Sequence, residues 1–178
     1  MNLYVSTYLL AAALLALGVA FAFFTGAFKK PAFGFLRSTK AAVVTFGGGG
    51  LWFLYMLSQL GEADFGEIKL ALIAVFGAAG ILAFFYFKDF LSVRGLAVLA
   101  LIFSNEFLKS AFLQEPESRL VLVTLTYALI IAALYLGALP YRLRDFFNYL
   151  YEKPVRAKAF GGILCACAAA LGIASIFY

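Results

Sequence analysis

The sequence predicts an all-α integral membrane protein: a bundle of six transmembrane helices with both termini on the outer side. Three observations predict it. The chain divides into six apolar segments of about 20 residues each, the length a helix needs to cross a bilayer core. Of its 178 residues 65% are hydrophobic and 13% charged, against about 25% charged in a soluble domain. Lysine and arginine gather in alternate connections, which is where the positive-inside rule places them. No hydrophilic stretch is long enough to build a second domain, so residues 1–178 read as a single membrane domain.

The first span is expected at 3–24. No basic residue precedes its apolar run, and Lys29 and Lys30 follow it. A secretory signal has the charge on the other side, so a permanent span is expected. Ala12, Ala16 and Ala20 fall on one face, a small-residue pattern suited to helix packing. The connection that follows mixes Phe28, Phe33 and Phe35 with four basic residues. The second span, 41–60, contains Gly47, Gly48, Gly49 and Gly50 in a row. Each costs about 1 kcal/mol against alanine in a helix. Either a neighbouring helix packs on this backbone, or the helix is broken there, as in many transporters.

The third span, 68–87, carries Gly77 and Gly80, read as packing positions. Its link to the fourth, 91–113, is short and contains Lys88 and Asp89, which predicts a tight antiparallel hairpin. The fifth, 120–139, holds Thr124, Thr126 and Tyr127 and is closed by Pro140. Residues 141–151 then place Leu143, Phe146, Phe147 and Leu150 on one helical face, the pattern of a short helix in the membrane interface. Pro154 is expected to end or kink it. The sixth span, 159–178, sets Gly161, Cys165, Ala169 and Gly172 along one side.

Orientation follows from the charges. Eleven of the fourteen Lys and Arg lie at 25–40, 88–94 and 141–158. The opposite connections hold Lys69 and Arg119 beside Glu62, Asp64, Glu67, Glu115 and Glu117. The basic side is expected to be cytoplasmic, with both termini outside, in a bacterial inner membrane.

Composition also excludes chemistry. The chain has no histidine, so there is no His-ligated haem or metal and no Ser-His-Asp triad. Cys165 and Cys167 lie two apart, where helical side chains do not face each other, and read as small packing residues. No cofactor is implied. The net charge of +5 sits between apolar spans, which points to lipid headgroups rather than nucleic acid.

The candidate site lies in the fourth span, where Ser104, Asn105, Glu106 and Lys109 interrupt the apolar run. A carboxylate in hydrocarbon is expensive, normally faces a bundle interior or a water-filled cavity, and marks an ion or substrate pathway by default. Lys109, three residues on, can pair with it along the helix. Tyr55 and Gln59 would share an outward-opening cavity if the second span approached the fourth. Arg142, Arg144, Lys153 and Arg156 are the candidate interface-binding cations, suited to anionic headgroups or to a cytoplasmic partner.

The span count and the Ala12–Ala16–Ala20 pattern are similar to those of the substrate-binding membrane subunits of energy-coupling-factor vitamin transporters. Those subunits keep their termini in the cytoplasm, opposite to the charge pattern here, and no family motif is present. The best expectation is a small-solute or ion carrier or channel using Glu106. The alternative is a non-catalytic subunit or scaffold that meets another membrane protein or a second copy of itself. An enzyme is disfavoured, because no set of nucleophile, base and metal ligands converges.

Overall fold

A computed structural model describes residues 2–61, 65, 68–86 and 89–178. Glu62, Asp64, Glu67 and Lys88, on which part of the charge pattern rests, lie outside the described residues. The described chain is helical throughout, with no strand. Its helices are α1 (Leu3–Phe23), α2 (Thr25–Leu36), α3 (Thr39–Ala42), α4 (Gly48–Ser58), α5 (Lys69–Tyr86), α6 (Leu91–Ala111), α7 (Arg119–Ala138), α8 (Tyr141–Glu152) and α9 (Pro154–Ala174). A π-helical turn, Val43–Gly47, joins α3 to α4, and a 3₁₀ turn, Ser175–Phe177, ends α9. Six helices are long and apolar enough to cross a membrane: Leu3–Phe23, Thr39–Ser58, Lys69–Tyr86, Leu91–Ala111, Arg119–Ala138 and Pro154–Phe177.

Helix ends follow local chemistry. Asn2 caps α1 by accepting from the Tyr4 N–H, and Ser38 caps α3 by accepting from Ala41, so the second span starts two residues before its expected limit. Pro154 lies at the first position of α9, where its missing N–H is harmless. It ends α8 and opens the last span five residues earlier than expected. Arg156 and Lys158 therefore belong to the start of that helix.

α1 and α9 pack antiparallel along their length. Their closest approach is Gly18 against Gly161. A Cβ on Gly18 would lie 2.9 Å from Gly161 O, and one on Gly161 would lie 2.5 Å from the Ala22 nitrogen. Cys165 packs on Gly18 as a small filler. Ala12 and Ala16, expected in a packing face, are exposed. The crossing selects the residue without a Cβ and turns the alanines outward. At the far end Tyr4 Oη donates to the Tyr178 carbonyl at 2.9 Å, so the two termini meet.

Two apolar cores sit at opposite ends. One joins Leu3, Leu10, Phe107, Ala111, Leu122 and Leu171 near the termini. The other is aromatic. Phe21, Ala32, Leu36, Val93, Phe147, Leu150 and Ala157 are buried in it, with Phe28, Phe33, Tyr151 and Phe160 packed around them. Here α2 and α8, neither long enough to cross a membrane, lie against each other and close the bundle. The ring of Phe21 is 5.1 Å from Phe28 and 5.4 Å from Phe160. Phe33 is 5.9 Å from Phe147. The apolar face of α8 is thus largely taken up by the protein itself. Leu150 and Phe147 are buried, and only Phe146 of the four expected apolar positions is exposed.

α5 stands apart. It has no buried residue, and its main neighbour is α4. A Phe53–Phe76 edge contact joins it to α4, and Phe84 meets Phe46 of the π-helical turn in another. The short link to α6 does not produce the packed hairpin that its length suggests, because α5 leans on α4 and leaves a cleft before α6.

Candidate functional site

The polar turn of α6 is built by one helix. Ser104 is buried and donates to Ala100 O at 2.7 Å, the back-bond that quiets a hydroxyl within an apolar helix. Asn105 Nδ2 donates to Glu106 Oε1 at 3.4 Å, and Lys109 Nζ lies 3.5 Å from the same oxygen. The Glu106 side chain is 27% exposed and that of Lys109 62%. The pair is therefore a loose i,i+3 contact with the lysine reaching outward. α6 ends at Ala111 because Phe112 turns extended and Leu113 takes φ 56°. Glu106 thus lies five residues from the helix end, about 7.5 Å at 1.5 Å per residue.

Beside this turn is a cleft of about 680 Å³ between α4, α5 and α6. Its walls include Phe53, Phe76, Phe84, Leu101 and Ile102, and among the described residues Asn105 is the one polar side chain that lines it. Glu106, Tyr55 and Gln59 are not among its lining residues. Tyr55 is 63% exposed, and Gln59 caps the end of α4 with its amide near Ser58 Oγ. The structure brings together Asn105, Glu106 and Lys109. It does not bring Tyr55 or Gln59 to them in this cleft.

The four glycines divide by role. The helix continues through them after the π-helical turn. Gly49 is buried against Val98 and Leu99 of α6. Gly47 and Gly50 line the cleft, as do Gly77 and Gly80 of α5. A Cβ on Gly48, Gly50 or Gly80 would meet nothing within 4 Å. The close backbone approach is elsewhere, at Gly95 of α6, where a Cβ would lie 2.2 Å from Phe46 N. Around it Thr45 Oγ reaches Ser92 O at 3.0 Å, and Ser92 Oγ donates to Phe35 O at 2.7 Å. This node ties α2, the π-helical turn and α6. In the sequence its signal is only a lone glycine near the start of a helix.

The four interface cations also divide. Arg144 binds Asp145 at 3.0 Å. Arg156 pairs with Glu152 and stacks over Tyr149 at 4.1 Å. Arg142 lies over Tyr141 at 5.6 Å, without an acidic partner among the described residues. Lys153 is exposed between α8 and α9. Burial raises the Tyr151 phenol above its usual pKa, and its Oη makes no hydrogen bond among the described residues. Of the polar residues noted in α7, Thr126 is buried and donates to its own helix, at Leu122 O, while Thr124 and Tyr127 are exposed.

This arrangement sets one carboxylate, loosely paired with one lysine, beside a largely apolar cleft. It offers no nucleophile with a base beside it, and among the described residues no three acidic or cysteine side chains gather around a metal position. The chain matches no protein-family model, no curated protein and no solved structure.

Proposed function

We propose that the chain is a non-catalytic subunit of a larger membrane complex, inserted through its six apolar helices, with the α4–α5 edge turned to a partner. One observation carries this reading. α5 is a full-length apolar helix with no buried residue, held mainly by α4. Helices in lipid associate through close packing of small side chains. Ala71, Ala74 and Ala78 present such a face on α5, and all three are exposed. In this reading the basic end is cytoplasmic by the positive-inside rule, and both termini lie outside a bacterial inner membrane.

The test is site-specific photo-crosslinking in native membranes. A crosslinker at Val75 or Leu82 of α5 is expected to capture one and the same protein, while one at Ile163 of α9 captures lipid. Capture of lipid alone at Val75 and Leu82 overturns the reading.

A second reading, a proton- or cation-coupled carrier, is favoured by Asn105, which both lines the cleft and donates to Glu106. It requires flux through reconstituted protein that Glu106→Gln abolishes. Glu106→Gln keeps the side chain's size and an oxygen that can accept from Asn105 and Lys109, so the variant should remain folded. Flux that is absent, or unchanged in the variant, rules the carrier out.

A further inference from the structure

We propose that the end of the bundle closed by α2 and α8 is a binding surface for anionic phospholipid headgroups, held by charge rather than by insertion of an apolar face. The argument begins with what those helices bury. An amphipathic helix that inserts into a leaflet needs its apolar face free. Here the faces of α2 and α8 meet each other and Phe21 and Phe160 in one aromatic core. Of the charged residues left outward, most are cationic. Ten of the described Lys and Arg belong to this end, against Asp89, Asp145 and Glu152. Asp145 and Glu152 are engaged by Arg144 and Arg156. Lys30, Arg37, Lys40, Arg142, Lys153 and Lys158 are exposed, and no ion pair joins them to an acid among the described residues.

Two features of the same surface fit an external anion. α8 and α9 both start without a side-chain cap and without an acid in the first turn. Arg142 stands in the first turn of α8 and Lys153 at the start of α9, neither in an ion pair among the described residues. A positive charge at a helix N-terminus is unfavourable unless an anion offsets it. Tyr141 and Tyr149 lie exposed among these cations, with amphipathic rings suited to headgroup depth. The surface caps the ends of helices long enough to cross a bilayer. Headgroups of the adjoining leaflet are therefore the anions it meets at the highest local concentration.

The choice of cations also differs from the one the sequence suggests. Arg144 and Arg156 are internally paired, so the lipid contacts fall to Arg142 and Lys153 of that set, joined by Lys30, Arg37, Lys40 and Lys158. The proposal does not rest on the exposed face of α5, and its test is independent of any protein partner.

The experiment is native mass spectrometry of the purified full chain equilibrated with equal amounts of phosphatidylglycerol and phosphatidylcholine. Selective retention of phosphatidylglycerol is expected, weakening as sodium chloride rises from low to high concentration. Each cation near such a surface is worth about 1 kcal/mol, roughly fivefold in binding. Lys30→Gln with Lys153→Gln should therefore reduce the selectivity by more than tenfold, while Lys69→Gln at the opposite end leaves it unchanged. Equal retention of the two lipids, selectivity indifferent to salt, or selectivity intact in the double variant overturns the proposal. Displacement of the lipid by millimolar inorganic phosphate overturns it in favour of a free-anion site. The salt series uses the unaltered protein, so it decides even if the variant fails to fold.

Discussion

At Gly95 any side chain would place its Cβ 2.2 Å from the backbone nitrogen of Phe46, whereas at Gly50 a Cβ would meet nothing within 4 Å. The two glycines should therefore respond oppositely to alanine. Gly95→Ala forces the π-helical turn away from α6 and should cost about 1–3 kcal/mol. Gly50→Ala should stabilise by up to about 1 kcal/mol through helix propensity. Thermal unfolding of both variants in one detergent gives the signs, and a fall in both would place Gly50 in a close contact. The sequence made the glycine run conspicuous and hid Gly95, because a string of four is a compositional signal while close approach is a property of two helices.

Tyr151 provides a second residue-scale prediction. Its folded pKa is raised by burial, above the value of about 10 it has when unfolded. The folded protein thus holds the phenol proton more tightly. Stability is undiminished below about pH 10 and falls as pH rises from there through the folded pKa. Tyr151→Phe should remove that alkaline decline. Because the hydroxyl is buried without a partner among the described residues, the variant should be as stable at neutral pH or more so by about 1 kcal/mol. Unfolding curves at pH 8 and above pH 10 test both parts, and a large loss at pH 8 would contradict them.

Among the elements, α8 best marks the limit of sequence reading. Its spacing of Leu143, Phe146, Phe147 and Leu150 specifies an amphipathic helix, and one forms at Tyr141–Glu152. Lipid and protein satisfy an apolar face equally well, so the pattern alone does not say which one it meets. The answer depends on α2, more than 100 residues earlier, whose Phe33 ring lies 5.9 Å from Phe147. If that contact holds the two helices together, a double-mutant cycle on Phe33→Leu and Phe147→Leu should yield a coupling of about 0.5–1.5 kcal/mol. Coupling near zero would mean that α2 and α8 dock independently. The α5–α6 link fails for a related reason. Its length limits how far apart the helix ends can lie, while what α5 packs on is set by the Phe53–Phe76 contact with α4 and the Phe46–Phe84 contact with the π-helical turn.

At the scale of the molecule, the six spans were legible because hydropathy is written into every residue of an apolar helix. The segregation of cations to one end was legible for the same reason, since it needs only chain order. The candidate site was legible as residues and not as geometry. Asn105, Glu106 and Lys109 are neighbours because one helix makes them so, and nothing in the order of residues fixes which side chains from other helices join them. The open cleft behind α5 is likewise a feature of assembly. It makes a bundle that is well packed along α1, α6, α7 and α9 and unfinished along one edge.

That unfinished edge is the centre of the functional reading. The most direct measurement is purification from native membranes in mild detergent, with mass determination of whatever remains bound. A stoichiometric membrane protein that dissociates when Val75 and Leu82 are both changed to tryptophan is the expected result. A chain that leaves the membrane alone, or only as copies of itself, and whose mass is unaffected by those substitutions, would contradict the subunit reading.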